Sequence, residues 1–238
     1  MLKEALTYLV SLKDNKTYEI HGDTYSDREL HRIAPHVDRP DTVRLNGLDS
    51  VAQMVRHELD MFENKPMFVR IVDHRRIEVL TALDSTMGRD KPYVAECDAA
   101  EFRPGWFSQD EAIIKLRSEF ADTEDVAYLL DLCSRVSRED GVTSDDNGVS
   151  QTVSARQGVA LKSVVGVKPR VILAPFRTFS EVEQPASEFI LRLDDDLRIG
   201  LIEADGGAWK LEAKNNIRKF FELALEDELD AGSVVLIS

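Results

Sequence analysis

The chain predicts an α+β fold: mixed, mostly antiparallel sheets packed with three to four helices. Three observations predict it. Apolar residues recur at helical spacing in separate stretches near both ends and in the middle of the chain. Apolar and polar residues alternate with period two over most of the second half. Turn dipeptides built on glycine and aspartate punctuate both kinds of pattern.

The elements follow in order. Leu2, Ala5, Leu6, Leu9 and Val10 form the apolar stripe of a short N-terminal helix. Thr17–Ile20 and Thr24-Tyr25 flank the pair Gly22-Asp23, a small hairpin, and residues 31–42 read as a loop with Pro35 and Pro40. Val43–Leu45 is a short strand. Gly47-Leu48-Asp49 opens a helix carrying Val51, Met54, Val55, Leu59 and Phe62, with Asp49 as an acid in its first turn. Residues 67–72 and 76–83 form a hairpin whose tip holds the basic cluster His74, Arg75 and Arg76, and 93–97 is a third strand.

Ser108 precedes Glu111 by three residues, the spacing of a capping box, and Ala112, Ile113, Leu116 and Phe120 give that helix its apolar face. A second helix starts near Thr123 with Val126, Leu129, Leu130, Cys133 and Val136. The polar stretch 138–148, with Asp140-Gly141 and Asn147-Gly148, is expected as an exposed turn. It divides an α/β portion at 1–140 from a β-rich portion at 141–238, the two integrated as one domain. Strands follow at 149–155, 159–167 and Arg170–Leu173. In the next, Phe189, Leu191 and Leu193 alternate with Ile190 and Arg192. Residues 197–202 and 208–211 bracket Asp205-Gly206-Gly207, read as a hairpin turn. Ile217, Phe220, Phe221, Leu223 and Leu225 mark a closing helix, and Val234–Ile237 a terminal strand.

Composition narrows the setting. The 238 residues carry a formal charge of -14, which disfavours non-specific nucleic-acid binding because phosphate neutralisation needs clustered Lys and Arg. Cys97 and Cys133 have no metal-ligand spacing and fit buried, reduced thiols. The opening MLKEALTYLV lacks the unbroken apolar run of a signal peptide, and no stretch approaches the ~20 apolar residues of a membrane span. A cytoplasmic protein with no membrane partner is expected.

No catalytic, cofactor or metal residues are assigned. Asp194-Asp195-Asp196 reads as a solvated turn, because consecutive carboxylates on extended chain point to alternate sides. Counted from Asp145, an EF-hand loop would need an oxygen ligand at Val149 and a glutamate at Arg156, so it fails. Glu203, Asp205, Lys210 and Glu212 are the residue types of a metal-dependent nuclease core, but Asp205 is better explained by its turn. His21, His31, His36, His57 and His74 show no zinc spacing, and neither a phosphate-cradling glycine motif nor a GxSxG elbow is present. Trp106 and Phe107, beside Phe102 and Pro104-Gly105, are candidate interface anchors, as are Val235 and Ile237. Arg177 and Arg192 are candidate ligand contacts.

At PFRTF (175–179), EVEQP (181–185) and 202–210, and again at TYSDRELHRI (24–33) and the KEAL opening at Lys3, the chain resembles a group of uncharacterised proteins of tailed phages and prophages, the YfdQ-like group. The resemblance implies a phage protein acting in the host bacterial cytoplasm and assigns no activity and no residue role.

Long strands without edge prolines (159–167, Val234–Ile237), apolar helix faces at both ends and a strong negative charge together predict a non-enzymatic protein that forms a symmetric homo-oligomer, a closed ring or shell other than the genome container. Its expected partner is itself, with no cofactor. The alternatives are a small-molecule or nucleotide-binding protein that sequesters a defence signal, and a metal-dependent nucleic-acid enzyme.

Overall fold

The computed structural model describes residues 2–11, 16–27, 32–33, 39–62, 65–100, 102–136, 142–146, 151–157, 160–194 and 196–238. His31, His36, Asp195 and the expected turn at Asn147-Gly148 lie outside them. The chain divides into two units, Met1–Asp41 with Leu83–Asp90, and Thr42–Ala82 with Lys91–Ser238.

In the first unit a helix, α1 (Leu2–Ser11), precedes an antiparallel sheet of β1 (Thr17–Ile20), β2 (Asp23–Ser26) and β3 (Arg32–Ile33). The β1–β2 turn falls on His21-Gly22, one residue earlier than the expected Gly22-Asp23. Both residues adopt positive φ, 54° and 84°, as a two-residue hairpin turn of this hand requires, and Asp23 instead pairs with Ile20. Further along, Asp84 accepts from the Thr86 and Gly88 N–H groups at 2.7 and 2.8 Å and from the Thr86 hydroxyl, while Arg39 bridges Asp84 and Asp90. These donors hold the Asp84 carboxyl down at about 2.

The second unit opens with β4 (Val43–Leu45), α2 (Leu48–Glu58) and a single 3-10 turn at Leu59–Phe62. Next come β5 (Met67–Asp73), β6 (Arg76–Leu80), β7 (Tyr93–Glu96), β8 (Gly105–Phe107), α3 (Gln109–Ser118) and α4 (Glu124–Val136). The strands β9 (Val142–Asp146), β10 (Gln151–Gln157), β11 (Ala160–Val167), β12 (Arg170–Leu173), β13 (Ser187–Leu193) and β14 (Ile199–Glu203) follow. The chain then runs through α5 (Trp209–Ala224), α6 (Glu226–Asp230) and β15 (Val234–Ile237).

The strands form a five-stranded sheet ordered β15-β5-β6-β7-β4, a four-stranded sheet ordered β12-β13-β14-β8, and a three-stranded sheet ordered β11-β10-β9. Only the β15–β5 and β4–β7 pairs of the five-stranded sheet are parallel, so the architecture is α+β with mixed, mostly antiparallel sheets. Neither larger sheet respects a division at residue 140. The four-stranded one takes β8 from before it and β12 to β14 from after it, and the five-stranded one takes β15 from the C-terminal end.

Two hydrophobic cores result. One packs α3 and α4 on the four-stranded sheet through Leu116, Phe120, Leu129, Leu132, Phe189 and Leu191. The capping box is present as expected: the Glu111 N–H donates to Ser108 Oγ at 3.3 Å and the Ser108 N–H donates to the Glu111 carboxylate at 3.0 Å. Thr123 caps α4 by accepting from the Val126 N–H. The other core packs α2 and α5 on the five-stranded sheet through Val51, Val55, Val69, Val79, Ile217 and Phe221. Both cysteines are buried and free, and burial pushes the Cys133 thiol up to about 11. Among the described residues no helix is long and apolar enough to cross a membrane.

Three expectations are corrected. The polar stretch expected as an exposed turn contains β9, which pairs antiparallel with β10 from Val142 to Asp146. Residues 208–211 are not a strand. Asp205-Gly206-Gly207 turns β14 into α5, with Gly206 and Gly207 at φ 64° and 84°, and the Asp205 carboxylate accepts from the Gly207 and Trp209 N–H groups at 2.9 and 3.1 Å. Trp209 then belongs to a stripe with Ala213, Ile217 and Phe221, four residues apart and all buried. Leu223, expected on that face, points outward and is exposed.

Candidate interface on an open sheet face

Residues alternate faces along a strand, so a sheet with helices on one side presents a complete row of side chains on the other. In the four-stranded sheet the helix side takes Val171, Leu173, Phe189, Leu191, Leu193, Ile199 and Leu201, all buried. The opposite face carries Ile172, Ile190, Ile202 and Trp106 among Arg170, Glu188, Arg192 and Gly200, so apolar side chains take positions where a solvated sheet would carry polar residues throughout. Trp106, Ile172 and Ile202 are 45%, 58% and 42% exposed.

The register arranges them as a continuous strip. Trp106 sits opposite Gly200, which sits opposite Arg192. Ile202 sits opposite Ile190, which sits opposite Arg170. Gly200 is required by contact, since a Cβ there would meet the Trp106 ring at 2.9–3.0 Å. The indole therefore lies flat across the sheet. Arg170 and Glu188, paired at 3.0 Å, edge the strip. Along the outer edge of β12, the Ile172 N–H donates to Asp125 of α4 at 2.7 Å, and the same carboxylate pairs with Lys168. Burial pushes the Asp125 carboxyl up, but the Ile172 N–H and Lys168 outweigh it and hold the group below its usual range. The helix thus occupies that strand edge and leaves the face open.

Phe107, expected beside Trp106, points to the opposite side. It packs on Phe102 with ring centroids 5.9 Å apart and lies under the Lys115 ammonium. Val235 and Ile237 lie on the outer edge strand of the five-stranded sheet, side by side on one face and half-exposed. On the same face Ile237 sits opposite Arg70, Arg70 opposite Glu78, Glu78 opposite Val94 and Val94 opposite Arg44. Glu78 is buried and takes ion pairs from Arg70, Arg76 and Lys91 at 2.9, 3.0 and 2.6 Å. Burial alone would raise its pKa, but the three cations outweigh burial and hold the carboxyl below its ordinary range.

Arg177 is 4% exposed and deep in the loop that joins β12 to β13. Its guanidinium donates to Glu203 at 2.6 Å, to Ser187 Oγ at 2.6 Å and to the Pro185 carbonyl at 3.2 Å, and it stacks 3.7 Å above the Trp209 ring. Burial pulls its pKa down against the opposing pull of Glu203. Around it the loop is held by Gln184, whose side-chain oxygen accepts from the Arg177 and Thr178 N–H groups, and by the Thr178 hydroxyl, which donates to the His74 carbonyl at 2.5 Å. Glu181 of the same loop caps α2: the Leu48 N–H donates to it at 2.7 Å, in a space that a Cβ on Gly47 would occupy. Arg192, half-buried on β13, donates to the Leu191 carbonyl.

Beside the loop a cavity of about 220 Å³ is lined by residues that include Asn46, Cys97, Asp98, Thr178, Ser180 and Gln184. Neither Arg177 nor Arg192 lines it. Burial raises the Cys97 thiol above its ordinary value. The four residues of the nuclease-like pattern serve different ends: Glu203 pairs with Arg177, Asp205 caps α5, and Lys210 and Glu212 lie in the first turn of that helix. Among the described residues no group of three His, Cys, Asp or Glu is placed to hold a metal ion.

The aromatic cluster beside Pro104-Gly105 singled out Trp106, while Ile172, Ile190 and Ile202 were missed. Their signal was present: in strands whose inward positions are already filled by Val, Phe, Leu and Ile, an isoleucine also takes an outward one. Compared with protein-family models, curated proteins and solved structures, the chain gives no match.

Proposed function

We propose that this is a non-enzymatic protein that associates with copies of itself to form a closed, symmetric homo-oligomer, and that the outward face of the four-stranded sheet is the surface buried in doing so. The observation that carries this reading is the strip of Trp106, Ile172, Ile190 and Ile202 on that face. It leaves on the order of 300 Å² of apolar side chain in water, the lower end of the largest patch on typical monomers, which is often functional. An aromatic on the edge strand β8, with aliphatics on the three strands beside it and charged residues around them, supplies the side-chain types enriched in interface cores. A charge of -14 per copy opposes association at long range and limits it to a closed assembly that keeps its acidic surface in solvent. The resemblance to tailed-phage proteins supports a role in the host bacterial cytoplasm, as a ring or shell other than the genome container.

Size exclusion with light scattering on the full chain tests the reading. The expected mass at micromolar concentration is a fixed multiple of 26.9 kDa, reduced to 26.9 kDa by Trp106→Asp with Ile202→Asp in a chain that keeps its circular dichroism. A wild-type chain running as a monodisperse 26.9 kDa species would overturn it.

A further inference from the structure

The first unit poses a problem of stability that the second does not. At residues 2–10, 16–27, 39–41 and 83–90 of this unit no side chain is buried. Its helix α1 carries an apolar stripe of Leu2, Leu6, Leu9 and Val10, exposed by 81%, 55%, 62% and 62%. These positions, i, i+4, i+7 and i+8, lie on one side of a helix. Ten residues fall short of the ~12–15 that even a good helix former needs to hold together alone in water. A helix of this length persists when its stripe is covered.

Resting on the self-association proposed above, we infer that α1 of one copy covers the open face of the four-stranded sheet of another. The two surfaces match in three ways. In chemistry, an aliphatic stripe meets a strip of isoleucines and one tryptophan. In length, a ten-residue helix runs about 15 Å, and the span from β12 to β8 across three strand spacings is about 14 Å. In charge, α1 contains one lysine and one glutamate and is neutral in a chain of -14, while Arg170, Arg192 and Glu188 leave the rim of the sheet face net positive. The helix is therefore a segment that an acidic copy can bring to that face without adding repulsion.

Area explains why the exchange closes on itself. One helix on one sheet face covers roughly 700–800 Å² of apolar surface counting both sides, less than the ~1,200 Å² of a stable interface. In a twofold pair both helices are exchanged across the same interface, so that interface holds two such contacts and clears the threshold.

The experiment uses full-length chains. A Leu6→Cys chain and an Ile172→Cys chain of different tag length are mixed, dissociated in mild urea, reassembled and oxidised with copper-phenanthroline. The buried Cys97 and Cys133 thiols are poor participants. The expected product is a disulfide joining the two different chains, at least tenfold more abundant than either like pair. A second variant, Leu6→Asp with Leu9→Asp, is expected to convert the assembly to 26.9 kDa chains with unchanged circular dichroism from the sheets and a red-shifted tryptophan emission, because Trp106 loses its cover. A wild-type assembly that keeps its mass in the Asp variant and yields no mixed disulfide overturns the helix exchange alone. A chain carrying both Leu6→Cys and Ile172→Cys that forms its disulfide only within itself, while the two single-cysteine chains give no mixed product, overturns it too. A monomeric wild type overturns the self-association on which it rests.

Discussion

Replacing Arg177 by alanine should be the most damaging single change in the loop between β12 and β13. The guanidinium is almost fully buried, pairs with Glu203 at 2.6 Å, donates to Ser187 and Pro185, and stacks on Trp209. Removing one partner of a fully buried pair costs about 3–5 kcal/mol, because the other charge is stranded. Glu203 is 27% exposed and regains some water, so the loss should sit near the lower limit, about 3 kcal/mol. For a chain of this size that lowers the midpoint of thermal unfolding by about 6–12 °C. The decisive comparison is the double variant Arg177→Met with Glu203→Gln. It removes both charges and keeps most of the volume, so it should cost about 1 kcal/mol, less than the single alanine change. Urea titrations followed by circular dichroism and by tryptophan fluorescence, which senses Trp209 beneath the guanidinium, give both numbers. An alanine variant within about 1 kcal/mol of wild type, or a double variant as damaged as the single one, would refute the assignment of the stabilisation to the buried ion pair.

Two further outcomes follow from the same geometry. Gly47→Ala should cost about 1 kcal/mol, the value of a lost helix cap, because the new methyl displaces the Glu181 carboxylate from the Leu48 N–H. In a Glu181→Ala background the same change should cost less than half of that by urea titration. Glu78, held below its unfolded pKa by Lys91, Arg70 and Arg76, should contribute stability fully above the unfolded carboxyl range near pH 4.3 and lose it as pH falls through the folded value. Glu78→Gln should therefore be destabilised by about 2 kcal/mol at pH 6, and the gap should close on acidification. A gap that widens towards low pH would contradict the sign.

Local signals were legible where one element could satisfy them. The alternation in Ser187–Leu193 and the Ser108–Glu111 spacing depend on residues within a few positions of each other, and both elements formed as the sequence predicts. The turn at Asp205-Gly206-Gly207 was misread because its residue types serve two geometries. Glycines that tolerate positive φ after an aspartate close a hairpin, and they equally lead a strand into a capped helix. The spacing of Trp209, Ala213, Ile217 and Phe221 separates the two, and it becomes visible only when the apolar stripe is followed back through the glycines. Arg177 was illegible for another reason. Glu203 and Trp209 lie far along the chain and reach the guanidinium through β14 and the turn beyond it, so no window of sequence contains the site.

The two larger sheets make the choice of interface a physical one. Each has helices on one side, and each must do something with the other. The five-stranded sheet places Glu78 among Arg70, Arg76 and Lys91, charges that water and one another satisfy. Its half-exposed Val235 and Ile237 lie at the end of that charged row, on the edge strand. The four-stranded sheet offers no comparable polar network across its middle. An isoleucine takes one outward position on each of β12, β13 and β14, beside Arg170, Glu188 and Arg192, and Gly200 gives up its side chain so that Trp106 can lie across it. A glycine in the interior of a strand costs stability, and an outward indole recovers little of that cost while half of it remains in water. The pairing of Gly200 with Trp106 is accounted for when a further layer covers the ring, and the proposed self-association is the reading that supplies one.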